Sequence, residues 1–291
     1  MIPLPRALVL ALGFYFGIPV VQISGTLQGQ TAPTDSILAI AHTLFTEASI
    51  LANQGHQDEA ESKLQRVLDI REKALGLDHP DVALTLHNLG FIYNAQGRYA
   101  EAEPLLRRAL IIREAALGPQ HLEVALTLNS LAFTYGVRSR YEEAEPLYER
   151  ALAIDEIVLG PNHLEVAHVL SNLGMLYDDL DRYIEARSVY ERVLAIRETV
   201  LGLGHPDVAD ALINLASLYH HQELYAEAIP LYRRSLDIRK VEFGPEHSDT
   251  GLALENLILA CELFFALPYI VQEQQSITAP ESMTVLCRPS P

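Results

Sequence analysis

The sequence predicts an all-α fold, a right-handed solenoid of antiparallel helix hairpins. Three observations predict it. Short blocks recur at a spacing of 42 residues: Asn88-Leu89-Gly90, Asn172-Leu173-Gly174, Asn214-Leu215-Ala216 and Asn256-Leu257-Ile258, with Ser130-Leu131-Ala132 filling the missing step. Tyrosine follows in register as Tyr93, Tyr135, Tyr177 and Tyr219, then as Tyr99, Tyr141, Tyr183 and Tyr225, and Ala102, Ala144, Ala186 and Ala228 come three residues later. Within each period the apolar residues fall three or four apart in two runs, the spacing of two helical stripes. A fixed period of this length is the mark of stacked supersecondary units.

The N-terminal element differs from the rest. Arg6 is the only charge in the first 33 residues, and residues 7–21 form an apolar run followed by the small Ser24 and Gly25. That is the plan of a secretory signal peptide over residues 1–25. The run is shorter than the roughly 20 residues a spanning helix needs. A removed signal peptide, an uncleaved N-terminal anchor and a buried apolar segment are the three readings, and either of the first two exports the chain. Residues 26–33 are polar and turn-forming and read as a linker.

The array follows over residues 34–266. Its repeats are 42–83, 84–125, 126–167, 168–209 and 210–251, with a truncated sixth, 252–266, as a capping helix. In the first repeat Thr46, Leu51 and Gln57 replace the Asn and both Tyr, while Ala60 and His79 keep the frame. In repeat 84–125, Leu84, Leu86, Leu89, Ile92 and Tyr93 make the first stripe. Gln96-Gly97-Arg98 stops that helix, with Gly97 suited to a left-handed cap. A second stripe runs from Tyr99 to Leu117, with Pro104 in its first two turns, where a missing amide proton costs less. Gly90 and Ala102 sit where the two helices cross, and a Leu at either would cost about 1–3 kcal/mol or more.

The links are equally regular. The stretch from Gly76 to Ala83 recurs from Gly202 to Ala209, with Pro80 and Pro206 at a first helical position. Asp81, Glu123, Glu165, Asp207 and Asp249 lie in first turns, where a carboxylate is worth about 0.3–1 kcal/mol against the helix dipole. His79, His121, His163, His205 and His247 recur once per repeat. Residues one repeat apart cannot converge on one ion, so they read as link-capping or packing groups.

The pattern resembles the tetratricopeptide repeat family, in the 42-residue form of kinesin light chains and many bacterial proteins. The Asn-Leu-Gly or Asn-Leu-Ala triplet, the Tyr pair, the Ala and the Leu-Gly…His-Pro-Asp-Val-Ala link carry the resemblance. It implies that first helices line a concave groove for a protein or peptide ligand and that second helices form the convex side. Groove positions then fall in four rows. One includes Phe45, His87, Asn129, Ser171, Ile213 and Glu255; another Thr46, Asn88, Ser130, Asn172, Asn214 and Asn256. The third includes Ser49, Phe91, Phe133, Met175, Ser217 and Leu259, and the fourth Ala52, Asn94, Gly136, Asp178, His220 and Glu262. The carboxamides of Asn88, Asn172, Asn214 and Asn256 suit clamping of an extended peptide backbone. Bracing of the next helix pair is the equal alternative.

Charge narrows the partner. The formal net charge is −17, which disfavours nucleic acid. The groove rows contain no Lys or Arg. They are apolar and neutral near Phe91 and Phe133, and acidic near Asp178, Glu255 and Glu262, with Asp179 and Asp210 adjacent. A ligand with apolar anchors and some basic residues fits that gradient. Membrane contact is expected only through the N-terminal segment, if it is uncleaved.

Catalysis has no marker. There is no Gly-x-Ser-x-Gly nucleophile motif and no Gly-x-x-x-x-Gly-Lys phosphate loop. Glu101 with Glu103, and Glu142-Glu143, read as outward solubility charges, with Glu103 and Arg107 a favourable i,i+4 pair. Arg107-Arg108 and Arg233-Arg234 read as a solvated convex face. His220-His221 with Asp178 and Asp179 is the one tempting metal cluster, and exposed polar helix positions explain it. No cofactor and no metal are therefore expected. The first functional reading is an exported, non-catalytic binding scaffold of bacterial type. The alternative is a regulatory array acting with a separate enzyme chain, such as a caspase-like peptidase. Residues 267–291 form a tail, and Cys261 and Cys287 either pin it to the capping helix or stand as two thiols.

Overall fold

The computed structural model describes residues 33–267 and 285–287. Among them are eleven helices and no strand: α1 (Pro33–Asn53), α2 (Gln57–Leu75), α3 (Pro80–Ala95), α4 (Tyr99–Leu117), α5 (Leu122–Gly136), α6 (Tyr141–Leu159), α7 (Leu164–Asp179), α8 (Tyr183–Leu201), α9 (Pro206–His221), α10 (Tyr225–Phe243) and α11 (Ser248–Ala266). The signal or anchor segment, nearly all of the linker and most of the tail lie outside the described residues. The fold class is the expected all-α repeat of helix hairpins. Two boundaries move. Helix α11 starts four residues before the frame of the sixth repeat, because His247 caps it as the other link histidines cap their helices. Helix α1 begins at Pro33, inside the linker reading.

Local chemistry explains the ends. His79, His121, His163, His205 and His247 are the N-caps of α3, α5, α7, α9 and α11. Each Nδ1 accepts the backbone N–H two residues on, at 3.1–3.2 Å. That bond satisfies an amide the helix itself leaves without a partner. Second helices open on the recurring Tyr99, Tyr141, Tyr183 and Tyr225. Gly97 takes φ +75° just past α3. Ser139, Asp181 and Glu223 hold the same left-handed position after α5, α7 and α9, a conformation that favours glycine.

The described chain divides into two compact units, one ending at Val158 and one beginning at Leu159. In the first, α1 pairs with α2 and α3 with α4, while α2 packs on α3 and α4 on α5. In the second, α7 pairs with α8 and α9 with α10, while α8 packs on α9 and α10 on α11. Small residues allow the close crossings: Ala60, Ala102, Ala144, Ala186 and Ala228 are fully buried. A Cβ built on Gly90 would lie 2.7 Å from Leu106 Cγ and 3.4 Å from the Ala102 carbonyl oxygen. Residues 34–53 of α1 are long and apolar enough to cross a membrane by length and composition, yet Ala41, Phe45 and Ala48 of that helix are buried in a cluster with α2 and α3.

Two readings of surface charge are overturned. Glu103 does not face outward: only 9% of it is exposed. Its carboxylate pairs with Arg107 at 2.9 Å, with Arg140 at 2.8 Å and with Arg138. Burial pushes this carboxyl up, but Arg140, Arg107 and Arg138 together hold it below its ordinary value. The second-helix arginines are likewise not simply solvated. Arg108 pairs with Glu72 and donates to the Leu77 carbonyl, and Arg234 pairs with Glu198. Long side chains reach across to the preceding hairpin, which a pattern read along one helix does not reveal.

Candidate functional site

In the first unit, Asn88 and Phe91 on α3 and Asn129 and Phe133 on α5 are all half-buried, so each keeps part of its surface in solvent. They occupy equivalent positions on adjacent first helices. Asn88 Nδ2 donates to the Leu84 carbonyl of its own helix at 2.8 Å. Thr46 and Ser130, which replace Asn in that row, make the same backward bond, to His42 and Leu126. This tether holds the row against its helix and turns the amide oxygen of Asn88 outward as an acceptor. Phe133 meets Tyr99 edge-on with centroids 6.5 Å apart, which limits the ring's rotation.

Asn94 is placed differently. It is buried, its Nδ2 donates to the Ser130 carbonyl at 3.4 Å, and its Oδ1 accepts from Thr134 Oγ1 at 3.0 Å. Its functional groups join α3 to α5. The row that begins with Phe45 is mostly interior: Phe45, His87, Ser171 and Ile213 are buried, and the Arg71 guanidinium lies 4.9 Å over the Phe45 ring.

In the second unit, Asn172 on α7, Asn214 on α9 and Asn256 on α11 are half-buried at equivalent positions. Asp178 Oδ2 lies 2.9 Å from His221 Nδ1, joining the ends of α7 and α9, while Asp179 is exposed. Asp210 is not a free groove charge. Burial pushes its carboxyl up, and Arg239, 2.5 Å away, and Arg197 oppose that shift. Glu255 and Glu262 are exposed on α11. The acidic character of this face therefore rests on Asp178, Asp179, Glu255 and Glu262. Among the described residues no group of three or more His, Cys, Asp and Glu side chains is placed to hold a metal ion. His220 instead lies edge-on to Tyr225, with centroids 5.2 Å apart.

His87 was grouped with groove residues by position, but it is an interior group with a titration consequence. Its Nδ1 is buried without a hydrogen-bond partner. Burial, then the Arg113 charge, pushes the imidazole well below its ordinary value. Unfolded, an imidazole takes a proton near pH ~6.5; folded, His87 stays neutral. Its contribution to stability is therefore complete above about pH 6.5 and is lost as the pH falls from there toward the folded value. Lowering the pH to about 5.5 costs on the order of 1.4 kcal/mol from this one group. Urea unfolding at pH 7.5 and 5.5 tests this: His87→Leu is expected to remove about that much of the pH dependence. An unchanged pH dependence would assign the effect elsewhere.

A family model described as tetratricopeptide repeat matches residues 39–115, 81–156, 123–199 and 207–263. Among solved structures, kinesin light chain nearly identical repeats from Podosopora anserina are 25% identical, with 71% of this chain and 98% of that one covered and a TM-score of 0.59. BtubC from P. vanneervenii is 20% identical, with 90% and 96% covered and a TM-score of 0.57. The apo form of RapI is 17% identical, with 81% and 79% covered and a TM-score of 0.64. At these last two identities the likeness is one of fold. No curated protein matches the sequence.

Proposed function

The chain belongs to the tetratricopeptide repeat family, in its kinesin-light-chain-like form, and from that premise we propose that it is a non-catalytic scaffold holding an extended protein or peptide segment on the inner faces of its first helices. Arrays of this family generally serve as protein-interaction scaffolds. The observation that carries the proposal is the repeated half-exposed carboxamide: Asn88 in one unit, and Asn172, Asn214 and Asn256 in the other. A row of amides at one spacing matches the backbone of an extended chain and tolerates many side chains.

The flanking residues set the ligand's character. Phe91 and Phe133 with Asn129 offer neutral, partly apolar ground for anchors, and Asp178, Asp179, Glu255 and Glu262 favour basic residues. Asn94, by its bonds to α5, supports the face and does not contact the ligand. Selection from a displayed random-peptide library tests the reading. Selected peptides should combine aromatic or aliphatic residues with Lys or Arg. The triple variant Asn88→Ala, Asn172→Ala, Asn214→Ala should bind them at least about tenfold more weakly, with its thermal midpoint little changed. Acidic consensus peptides, or equal affinity for the triple variant, would defeat the proposal.

Export is the second part of the reading. It is supported by the apolar 7–21 run and by the Cys261–Cys287 disulfide, a bond that persists in oxidising compartments. Intact mass of the chain purified from its own cells is expected to lack residues 1–25 and to show both cysteines oxidised. A full-length mass would rule out cleavage, and free thiols would rule out the oxidising compartment.

A further inference from the structure

The tyrosine row has a second register partner. Tyr93 on α3 receives a hydrogen bond at its hydroxyl from Gln65 Nε2 of the preceding second helix, at 3.2 Å. Tyr135 on α5 receives one from Arg107 Nε, at 2.7 Å. Donor and acceptor rows both advance by 42 residues. Continued to the end of the chain, they reach Arg233 on α10 and Cys261 on α11. The last repeat thus keeps the donor and lacks the aromatic ring.

What fills that slot comes from the tail. Cys261 is bonded to Cys287. The disulfide brings residues 285–287 onto the second unit, where Leu286 and Cys287 pack against the buried cluster of Ile229, Tyr232, Cys261 and Phe264. The Leu286 carbonyl oxygen accepts from Arg233 Nε at 2.9 Å and also from its Nη2. An apolar body and one acceptor therefore stand against Arg233, the two things a tyrosine supplies at the earlier steps.

We propose that residues 285–287 are a disulfide-held substitute for the missing repeat tyrosine, and that they close the C-terminal end of the array as a strap. The physical need is plain. A terminal repeat has no following hairpin to cover it and requires a cap of its own, and α11 has no second helix following it among the described residues. Replacing the ring by cysteine trades a fixed side chain for a reversible tether. Reduction by a dithiol or a phosphine splits the disulfide into two thiols, with the reductant taking up the oxidation. Only the Arg233 bonds and the small Leu286 contact then retain the strap.

The test uses the full chain. Hydrogen exchange of α11 amides, and the thermal midpoint with and without tris(2-carboxyethyl)phosphine, are compared for the wild type, the pair Cys261→Ala with Cys287→Ala, and the pair Cys261→Tyr with Cys287→Ser. Reduction, or the double Ala change, is expected to speed α11 exchange at least about tenfold. The Tyr variant should keep near-native protection and ignore the reductant. A Tyr variant that folds but exchanges as fast as the double Ala variant overturns the substitution. So does a double Ala variant as protected as the wild type. Arg233→Met with the disulfide intact gives a reading that needs no cysteine change: exchange at the 285–287 amides should rise several-fold, and unchanged exchange there removes Arg233 from the strap.

Discussion

Arg113→Ala is expected to destabilise the first unit by about 2–4 kcal/mol. The guanidinium is 1% exposed and joins the end of α4 to the start of α5. Nη1 donates to the Glu123 carbonyl at 3.0 Å and to Thr127 Oγ1 at 2.6 Å, and Nη2 lies 3.0 Å from Glu123 Oε2. Burial pulls its pKa below the ordinary arginine value and Glu123 opposes the shift. Breaking a fully buried pair costs about 3–5 kcal/mol. Here the Glu123 side chain is 40% exposed and regains water, which lowers the figure, while the vacated volume adds to it. Arg113→Met keeps most of the stem's packing and loses only the polar bonds, so it should fall between Ala and the wild type. Chemical denaturation followed by circular dichroism orders the three. Equal midpoints for Ala and wild type would show that the bridge contributes nothing.

The second large effect is at Gly174. A Cβ there would stand 2.5 Å from Tyr190 Cε1 and 2.9 Å from both Cδ1 and Cζ. Tyr190 is 3% exposed, so its ring has no room to swing aside. In repeats 126–167 and 210–251, however, Ala132 faces the Tyr148 position and Ala216 the Tyr232 position at the same spacing, and all four residues are buried. The hairpin thus accepts one methyl group by a small opening. Gly174→Ala should cost about 1 kcal/mol. Gly174→Leu adds three more carbons with no space to enter, and should cost about 3 kcal/mol or more and shift the protein toward insoluble expression. Soluble yield and the thermal midpoint should fall in the order wild type, Ala, Leu. A Leu variant as stable as the Ala variant would refute the tight crossing.

Particular residues show how much was legible. Gly97, Gly90, Ala102 and the first-turn acids announced their roles because each obeys a local rule: left-handed backbone, close approach, helix dipole. The link histidines were narrowed to capping or packing, and the Nδ1 bonds decide for capping. Glu103 was misread because its partners Arg138 and Arg140 lie 35 and 37 residues away in the chain. The arginines at 71, 113, 197 and 239 keep the 42-residue step, and each donates to a backbone carbonyl in the first turn of the next helix. Their period was present in the sequence, but nothing local marks a buried guanidinium. The face bearing Asn88, Phe91, Asn129 and Phe133 could be named from the period; the engagement of Asn94 with Ser130 and of Asp210 with Arg239 could not.

By itself the sequence determined the repeat, the helix pairs, their caps and the family, because those follow from backbone geometry and from the spacing of apolar residues along one chain. Tertiary structure alone decided which polar groups are already spent, that His87 is sealed and that Cys261 meets Cys287. These outcomes depend on the reach of long side chains between neighbouring helices, where a difference of a few ångströms separates a buried bond from a solvated charge.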